Sequence, residues 1–286
     1  MACSARLGML ALYSNLGKCI HVVKLLPERR MQRVLVLQCV SHTASSLYGS
    51  LAFLDNLVFV AECPKSSIVH IVDVVAKTHV GCLLPFDLPC AQQLKIAVCG
   101  RTGMLAVLAS VHKQPSKLAA QVVLYARTGS LQWTKLCAYD FGVLSSWQNW
   151  EMTFVNDGTR LLCVNPGFGM VALHPGQDPG YTFFGKNHVT YVIASPLGVW
   201  TWRYSSHVMA LMTHGGSFSR RAVTLQWKRA RFFHSGLHVE GFGLVIVVAM
   251  SGYPMRIDEF QLVATDCEHA MSGMSRGRAA WLAAMI

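Results

Sequence analysis

The chain has 286 residues, of which 52% are hydrophobic and 14% charged, and its formal net charge is +11. Its apolar runs are short, such as LVIVVAM at 244–250, and none reaches the roughly 20 residues that a membrane-spanning helix needs. The excess of basic residues favours an anionic partner, namely RNA, an acidic protein or a membrane surface, although a scattered basic composition also arises without one.

Strand-like runs recur along the chain at similar spacing. The run GMLALYS returns almost unchanged as GMLAVLAS, and the 95 residues between their starts contain one intermediate unit, so the period is about 47 residues. Runs of Val, Leu, Ile and aromatic residues bounded by turn residues are typical of β-strands. In chain order the recurring runs are GMLALYS (8–14), LVFVAEC (57–63), GMLAVLAS (103–110), GTRLLCV (158–164), HVMALMT (207–213) and GLVIVVA (243–249).

Each of these runs is followed by a second strand-like run after a polar or Gly/Pro/Ser gap. Several units also begin with an earlier run or end in a further short apolar segment, which predicts four short strands per unit. No segment shows helical periodicity over several turns, and the only helix candidate is the tail SRGRAAWLAAMI at 275–286. The second runs are CIHVVKL (19–25), SIVHIVDV (67–74), QVVLYA (121–126), GMVAL (169–173), AVTLQW (222–227) and MRIDEFQL (255–262).

Four-stranded units repeated at this period are typical of a β-propeller, in which each unit is one blade. We therefore predict an all-β fold, with a single propeller-like domain over 1–286. The chain opens on a run that we interpret as the second strand of the first blade, so the ring is expected to be incompletely closed unless the C-terminal residues add a strand. The predicted blades span roughly 1–47, 48–92, 93–147, 148–187, 188–238 and 239–286, which is about six blades.

An alternative arrangement of the same strands is a pair of β-sandwich domains. Each would have about 140 residues, with a division near 140–150. The recurrence of GMLA and the order of the paired runs favour the propeller.

Two segments resemble known propeller repeats. FVNDGTRLLCV at 154–164 resembles the F-S-P-D-G-x-x-L-x-V element of YVTN-type and WD-like blades. The segment at 51–83 is similar to the NHL and YVTN pattern of a strand, a small polar gap, an I-x-V-x-D strand, a T-x-x-G turn and a last strand. The Gly-His and Trp-Asp dipeptides of WD40 blades are absent. The resemblance implies a β-propeller that presents a rigid surface to a partner, without naming a specific family.

The ten cysteines are scattered, and most lie inside apolar strand-like runs. No C-x-x-C spacing is present, which is typical of free, buried thiols rather than of a disulfide framework or a zinc site. The sequence therefore predicts an intracellular protein in a reducing compartment. The cytoplasm is favoured, with mitochondrial and nuclear locations left open.

The basic segment at 219–233, SRRAVTLQWKRARFF, is the best candidate for a contact site with a partner. Cations beside aromatic rings suit RNA, because guanidinium groups and rings stack on bases while the charge follows the phosphates. A structural interpretation is also open, in which AVTLQW is a blade strand and the basic residues are its solvated flanking turns. The candidate protein or RNA contacts are Arg220, Arg221, Trp227, Lys228, Arg229 and Arg231.

The sequence contains few features typical of an active site, a cofactor site or a metal site. The histidines show no metal-binding spacing, His70 lies alone within a strand-like run, and no G-x-S-x-G motif or phosphate-binding loop occurs. We therefore predict no catalytic residue, no cofactor and no metal. Lactonase-like propellers bind calcium through channel carboxylates, and the carboxylates available for such a site here are Asp55, Glu62, Asp73, Asp140, Glu151 and Asp157.

Three functional hypotheses follow from the sequence. The first is a non-enzymatic propeller scaffold that mediates protein–protein interaction. The second is a basic module associated with RNA or ribonucleoprotein. The third is a channel-site hydrolase or lactonase-like enzyme. Convergence of carboxylates and a histidine at one site would favour the enzyme, and clustering of basic residues on one face would favour RNA binding.

Overall fold

A computed structural model of the chain shows two compact units. The first comprises Met1–Leu26 and Gln32–His188, and the second comprises Pro27–Met31 and Val189–Ile286. That the whole chain forms one domain stays a prediction. The structure describes residues 2–4, 7–14, 19–25, 31–38, 50–62, 67–85, 93–114, 117–144, 150–155, 158–165, 169–177, 181–183, 191–195, 198–202, 208–212, 218–224, 232–239, 243–249 and 259–263.

The first three sheets of the chain are antiparallel and each contains four strands in sequence order. Sheet 1 contains β1 (Ala2–Ser4), β2 (Met9–Ser14), β3 (Cys19–Leu25) and β4 (Met31–Gln38). Sheet 2 contains β5 (Leu51–Leu54), β6 (Leu57–Glu62), β7 (Ile68–Asp73) and β8 (Thr78–Leu83). Sheet 3 contains β9 (Gln93–Val98), β10 (Leu105–Gln114), β11 (Lys117–Arg127) and β12 (Trp133–Leu144).

The remaining sheets follow the same up-and-down order. Sheet 4 contains β13 (Glu151–Val155), β14 (Arg160–Asn165), β15 (Gly169–Leu173) and β16 (Tyr181–Phe183). Sheet 5 contains β17 (Tyr191–Ser195), β18 (Gly198–Trp202), β19 (Val208–Met212) and β20 (Phe218–Thr224). In the described residues, sheet 6 contains β21 (Phe232–Val239), β22 (Gly243–Ala249) and β23 (Glu259–Val263).

Inner strands of the first unit, such as β6 and β10, are buried on both faces because its sheets stack in chain order. In β6, Val58 packs in a core with sheet 1, whereas the next residue, Phe59, packs in a core with sheet 3. In β10, Leu105 belongs to that second core, whereas Leu108 packs with Leu161 of sheet 4. Successive strand residues point to opposite faces, so each middle sheet contributes to two cores. This double burial explains why the strands read as nearly continuous apolar runs.

The first strands of sheets 1 to 4 lie next to one another, so the sheets converge on that side of the unit. Polar side chains connect these strands. Lys95 Nζ of β9 lies 2.9 Å from Glu151 Oε1 of β13, and the hydroxyl of Ser50 donates to the Ile96 carbonyl at 3.4 Å. Radially arranged, face-packed sheets of this kind are the building principle of β-propellers.

The predicted all-β fold is confirmed, since the described residues form antiparallel sheets and contain no α-helix. The alternative of two sandwich domains divided near 140–150 is wrong, because Leu108 and Leu161, on either side of that point, share one core. Within the residues that the structure describes, no helix is long and apolar enough to cross a membrane. The helix candidate at 275–286 lies outside the described residues.

Some strand positions differ from those expected from the sequence. The strand β1 precedes GMLALYS and pairs with β2, so sheet 1 has a first strand that was not expected from the sequence. Three residues are too few to show a recognisable strand pattern. The strand β21 pairs with β22, and the expected blade boundary at 238/239 therefore falls inside it. The last described strand of sheet 5 is Phe218–Thr224, which contains residues 222–224 of the strand expected at 222–227, and residues 225–227 lie outside the described residues.

Candidate docking face

One end of the first unit is formed by turns from neighbouring sheets. In an antiparallel meander, the turn after the first strand and the turn after the third strand lie at the same end, because successive strands reverse direction. Side-chain contacts between these turns connect sheets 2, 3 and 4 at this end. We call it the turn face, and its described residues are 55–56, 74–77, 99–104, 128–132, 158–159 and 174–177.

Side chains join the two turns of sheet 2. The β5–β6 turn consists of Asp55 and Asn56, and Asp55 has the left-handed φ of 54° that two-residue hairpin turns favour. Asn56 Nδ2 donates a hydrogen bond to Asp73 Oδ2. The other Asp73 oxygen accepts hydrogen bonds from the backbone N–H groups of Val75 and Ala76, both at 2.8 Å. The Asp73 carboxylate therefore holds the β7–β8 turn in one conformation and ties it to the neighbouring turn.

Arg127, the last residue of β11, connects the turns of sheets 2 and 3. Its Nη1 lies 2.6 Å from Asp55 Oδ2. Its Nε donates to the Gly129 carbonyl at 3.0 Å, and its Nη2 donates to the Ser130 carbonyl at 2.7 Å. Because the planar guanidinium has donors in fixed directions, this one side chain orders the β11–β12 turn and contacts the neighbouring sheet.

An aromatic cluster lies beside this ion pair. The Arg127 guanidinium carbon is 5.7 Å from the centroid of the Trp133 ring. Phe59 meets the same ring edge to face, with centroids 5.3 Å apart and an interplanar angle of 88°. Both geometries suit the charge distribution of an aromatic ring. Trp133 Nε1 is buried and has no hydrogen-bond partner within the described part of the chain, so packing holds this ring in place.

Gly158 brings a turn of sheet 4 into close contact with a turn of sheet 3. Its φ is +91°, a conformation that residues with a side chain rarely adopt. A Cβ added at this position would lie 2.6 Å from Thr102 Oγ1 and 2.8 Å from Cys99 Sγ. The close approach of the two sheets at the turn face therefore depends on glycine.

Tyr139 and His174 form a second link between sheets 3 and 4. The Tyr139 hydroxyl donates to the backbone carbonyl of His174 at 3.3 Å. Burial, with a further contribution from the Cys137 thiol, raises the pKa of Tyr139 to about 12, so the hydroxyl remains a donor at neutral pH. Burial also lowers the pKa of the His174 imidazole, and the positive charge of Arg160 lowers it further. The folded state therefore favours the neutral imidazole.

Apolar side chains of the turn face are exposed to solvent. Val75, in the β7–β8 turn, is 62% exposed, and Leu131, in the β11–β12 turn, is 46% exposed. Lys77 is exposed two residues after Val75. Exposed apolar patches bordered by polar residues mark protein-binding surfaces. Because Asp73 and Arg127 hold the same turns, these groups are presented on an ordered backbone.

The predicted basic contact residues are in the second unit. Arg220 and Arg221 lie within β20, the outer strand of sheet 5, instead of in a flanking turn. Trp227, Lys228, Arg229 and Arg231 lie outside the described residues. That these six residues contact a partner stays a prediction.

The carboxylates considered for a channel-site enzyme have structural partners where their side chains are described. Asp55 pairs with Arg127, and Asp73 caps its turn. Asp140 accepts a hydrogen bond from the Gly142 N–H at 2.7 Å, and Glu151 pairs with Lys95. Asp157 and the side chain of Glu62 lie outside the described part. Among the side chains that the structure describes, no three from His, Cys, Asp and Glu converge on a metal-binding position.

Sequence reasoning missed the turn face as a site. The dipeptide Asp55-Asn56 between two apolar runs is a recognisable hairpin signal, and Val75 and Leu131 are apolar residues within turn segments. These signals could have identified exposed turns. The pairing of Asp55 with Arg127 could not be found this way, because 72 residues separate them and the stacking order of the sheets brings them together.

Solved structures support the fold assignment. KlAtg21 in complex with the coiled-coil of AgAtg16 aligns with a TM-score of 0.54 and 11% identity, over 79% of this chain and 69% of that chain. Hsv2 of Kluyveromyces lactis aligns with a TM-score of 0.51 and 14% identity, over 95% of this chain and 74% of that chain. Both are β-propellers. At these identities the similarity shows the fold alone.

A third solved structure with a similar fold is that of an enzyme. Dihydro-heme d1 dehydrogenase NirN aligns with a TM-score of 0.50 and 12% identity, over 95% of this chain and 64% of that chain. No protein-family model matches the chain, and no curated protein matches it. The fold is thus that of a β-propeller, and the function must be argued from the site.

Proposed function

We propose that this chain is a non-enzymatic β-propeller scaffold that docks a protein partner on the turn face. The observation that carries the proposal is the exposure of Val75 and Leu131 in turns whose backbones are held by Asp73 and Arg127. A surface ordered before binding loses less conformational entropy on association. Ordered turns with exposed apolar side chains therefore favour docking of a folded or helical protein segment.

The positive charge of the turn face determines which charge is favoured on the partner. Lys77 and Arg101 are exposed on turns of sheets 2 and 3, and the whole chain carries a formal charge of +11. Opposite charge accelerates association and discriminates against basic competitors. We therefore expect the docked segment to be acidic and to carry apolar side chains that cover Val75 and Leu131.

A solved neighbour provides a precedent for protein docking on this fold. KlAtg21 was solved as a complex with the coiled-coil of AgAtg16, so a protein of similar architecture binds a helical protein segment. This supports the docking role of the fold, while the position of the face rests on the residues of this chain.

The experiment compares partner capture by the full-length chain with capture by the double variant Val75→Ser, Leu131→Ser. Leu136→Ser is the matched control, because Leu136 is 51% exposed and lies in β12, outside the turn face. We expect the captured proteins to be lost with the double variant and retained with the control. We also expect nuclease treatment to leave the captured set unchanged.

Two outcomes would contradict the proposal. Loss of the captured proteins after nuclease would favour the RNA hypothesis, for which the basic segment at 219–233 remains the candidate. Equal loss with Leu136→Ser would show that general surface hydrophobicity, and not the turn face, drives capture. Circular dichroism of each variant distinguishes loss of binding from loss of folding.

A further inference from the structure

The β11–β12 turn contains an exposed serine next to Leu131, one of the two apolar residues of the proposed docking surface. The turn consists of residues 128–132, within which Ser130 is exposed and Leu131 is 46% exposed. A hydrogen bond of 2.9 Å from the Thr128 N–H to the Gln132 carbonyl closes the turn. Exposed turns are the parts of a fold that modifying enzymes reach most easily, so Ser130 is accessible to such an enzyme.

Arg127 lies three residues before Ser130 and already contacts that residue. Its Nη2 donates to the Ser130 carbonyl at 2.7 Å, and its Nη1 lies 2.6 Å from Asp55 Oδ2. The guanidinium is thus held between the turn and the neighbouring sheet. A guanidinium binds a phosphate group through two parallel hydrogen bonds. A phosphate on the Ser130 hydroxyl would belong to the residue that Arg127 contacts and would therefore lie within its reach.

Such a phosphate would compete with Asp55 for the guanidinium. Phosphoserine carries a charge of about −1.5 to −2 at neutral pH and three acceptor oxygens, whereas a carboxylate carries a single negative charge. The side chains of Arg127 and Asp55 are 25% and 33% exposed, so solvent weakens their ion pair. We therefore expect Arg127 to exchange its contact with Asp55 for a contact with the phosphate.

The phosphate would also change the charge of the turn face. Lys77 and Arg101 are exposed on turns of this face, and a phosphate charge of about −2 offsets that of two cations. Because the docked segment is expected to be acidic, its carboxylates would be repelled by the phosphate. The phosphate would moreover lie on the residue before Leu131, where a docked partner must displace water from a charged group.

We propose that Ser130 is a phosphorylation site whose modification prevents docking at the turn face, an inference that rests on the proposed function. The modifying enzyme is a protein kinase that selects arginine three residues before the acceptor serine. The Ser130 oxygen forms a bond to the γ-phosphorus of ATP, the bond between that phosphorus and the β–γ bridging oxygen breaks, and ADP leaves. The hydroxyl proton passes to the catalytic aspartate of the kinase.

Treatment of the full-length chain with ATP and a kinase that phosphorylates a synthetic peptide of residues 124–134 tests the site. Mass spectrometry should locate a phosphate on Ser130, which is absent in Ser130→Ala. The spacing Arg-x-x-Ser occurs a second time at 203–206, so Ser206→Ala is the matched control and should retain the phosphate on Ser130. An unmodified Ser130 in the folded chain, under conditions that fully modify the peptide, would overturn the proposal.

Phosphorus NMR tests the contact with Arg127. The second pKa of phosphoserine is about 6, and a neighbouring guanidinium lowers it by favouring the dianion. We expect the resonance that is missing in Ser130→Ala to titrate at lower pH in the folded chain than in urea. Equal titration midpoints in the folded and the denatured chain would overturn the exchange of partners by Arg127.

Partner capture separates this inference from the proposed function. We expect kinase treatment to reduce capture by the unmodified chain and by Ser206→Ala about tenfold, and to leave capture by Ser130→Ala at its untreated level. Capture that is lost in the Val75→Ser, Leu131→Ser double variant but is insensitive to phosphorylation would overturn this inference alone. Capture that is insensitive to both changes would overturn the docking face as well.

Discussion

The boundary between sheets 2 and 3 and the boundary between sheets 3 and 4 are closed in different ways at the turn face. Asp55 and Arg127 connect sheets 2 and 3 through an ion pair. Sheets 3 and 4 meet through the close approach of Gly158 to Thr102 and through a hydrogen bond from Tyr139. The first contact is an ion pair that is partly exposed to solvent, whereas the second combines a steric contact with a hydrogen bond between uncharged groups. Substitutions at the two boundaries should therefore differ in size and in response to salt and pH.

The largest effects are expected in the two cores below these contacts. Leu105 packs between sheets 2 and 3, and Leu108 packs between sheets 3 and 4. Leu105→Ala and Leu108→Ala should each lower the free energy of unfolding by about 2–5 kcal/mol, measured by urea denaturation. Hydrogen exchange should quicken first in sheets 2 and 3 for the former and in sheets 3 and 4 for the latter. Identical exchange patterns would argue against separate cores.

The next largest effect is expected at Gly158. Gly158→Ala combines a strained φ with a steric clash, so the free energy of unfolding should fall by about 2–4 kcal/mol in denaturant titrations. Gly176→Ala is the matched control, since its φ is +76° but an added Cβ would meet nothing within 4 Å. The control should lose only the strain contribution, about 1 kcal/mol. Equal losses would remove the steric explanation.

A smaller effect is expected for the ion pair. The Arg127 and Asp55 side chains are 25% and 33% exposed, so solvent weakens their attraction. A double-mutant cycle with Asp55→Asn and Arg127→Met should give a coupling of about 0.2–1 kcal/mol. Asparagine tolerates the left-handed conformation of position 55, and methionine retains most of the packing against Trp133. Molar salt should reduce the coupling, and a salt-independent coupling would contradict this explanation.

The smallest effect is a pH dependence at the boundary between sheets 3 and 4. Burial lowers the pKa of His174 in the folded state, so the unfolded chain binds the proton more readily. Its contribution to stability is present above the unfolded pKa of about 6.5 and is lost as the pH falls toward the folded value. The difference in free energy of unfolding between pH 7.5 and pH 5.5 should therefore be smaller in His174→Gln. An unchanged difference would assign the pH dependence to other histidines.

The strand content and the repeat could be predicted because inner strands such as β6 and β10 are apolar on both faces. Runs such as GMLAVLAS combine Leu105, which faces one core, with Leu108, which faces another, and this double burial produces the recurring pattern. By contrast, β1 has three residues, too few for a pattern, and FFHSGLHV interrupts its apolar residues with histidine and glycine.

The candidate site could not be predicted in the same way, because it depends on contacts between distant segments. Arg127 reaches Asp55 only after sheets 2 and 3 have stacked. This stacking order is not encoded in local spacing. The exposure of Val75 was open to prediction, since it follows the turn residue Asp73, whereas its ordered backbone was not.

The alternation of β10 between two cores constrains how the length of the chain can change. Loss or gain of one residue within this strand would reverse the facing of all strand residues on one side of the change, so that residues of the core between sheets 2 and 3 would point toward sheet 4, and residues of the core between sheets 3 and 4 toward sheet 2. Both cores would then contain residues of the wrong volume. A change of two residues would restore the facing. Natural insertions and deletions should therefore be confined to the turns and to the segments between sheets, where they do not change which face of a sheet each strand residue points to.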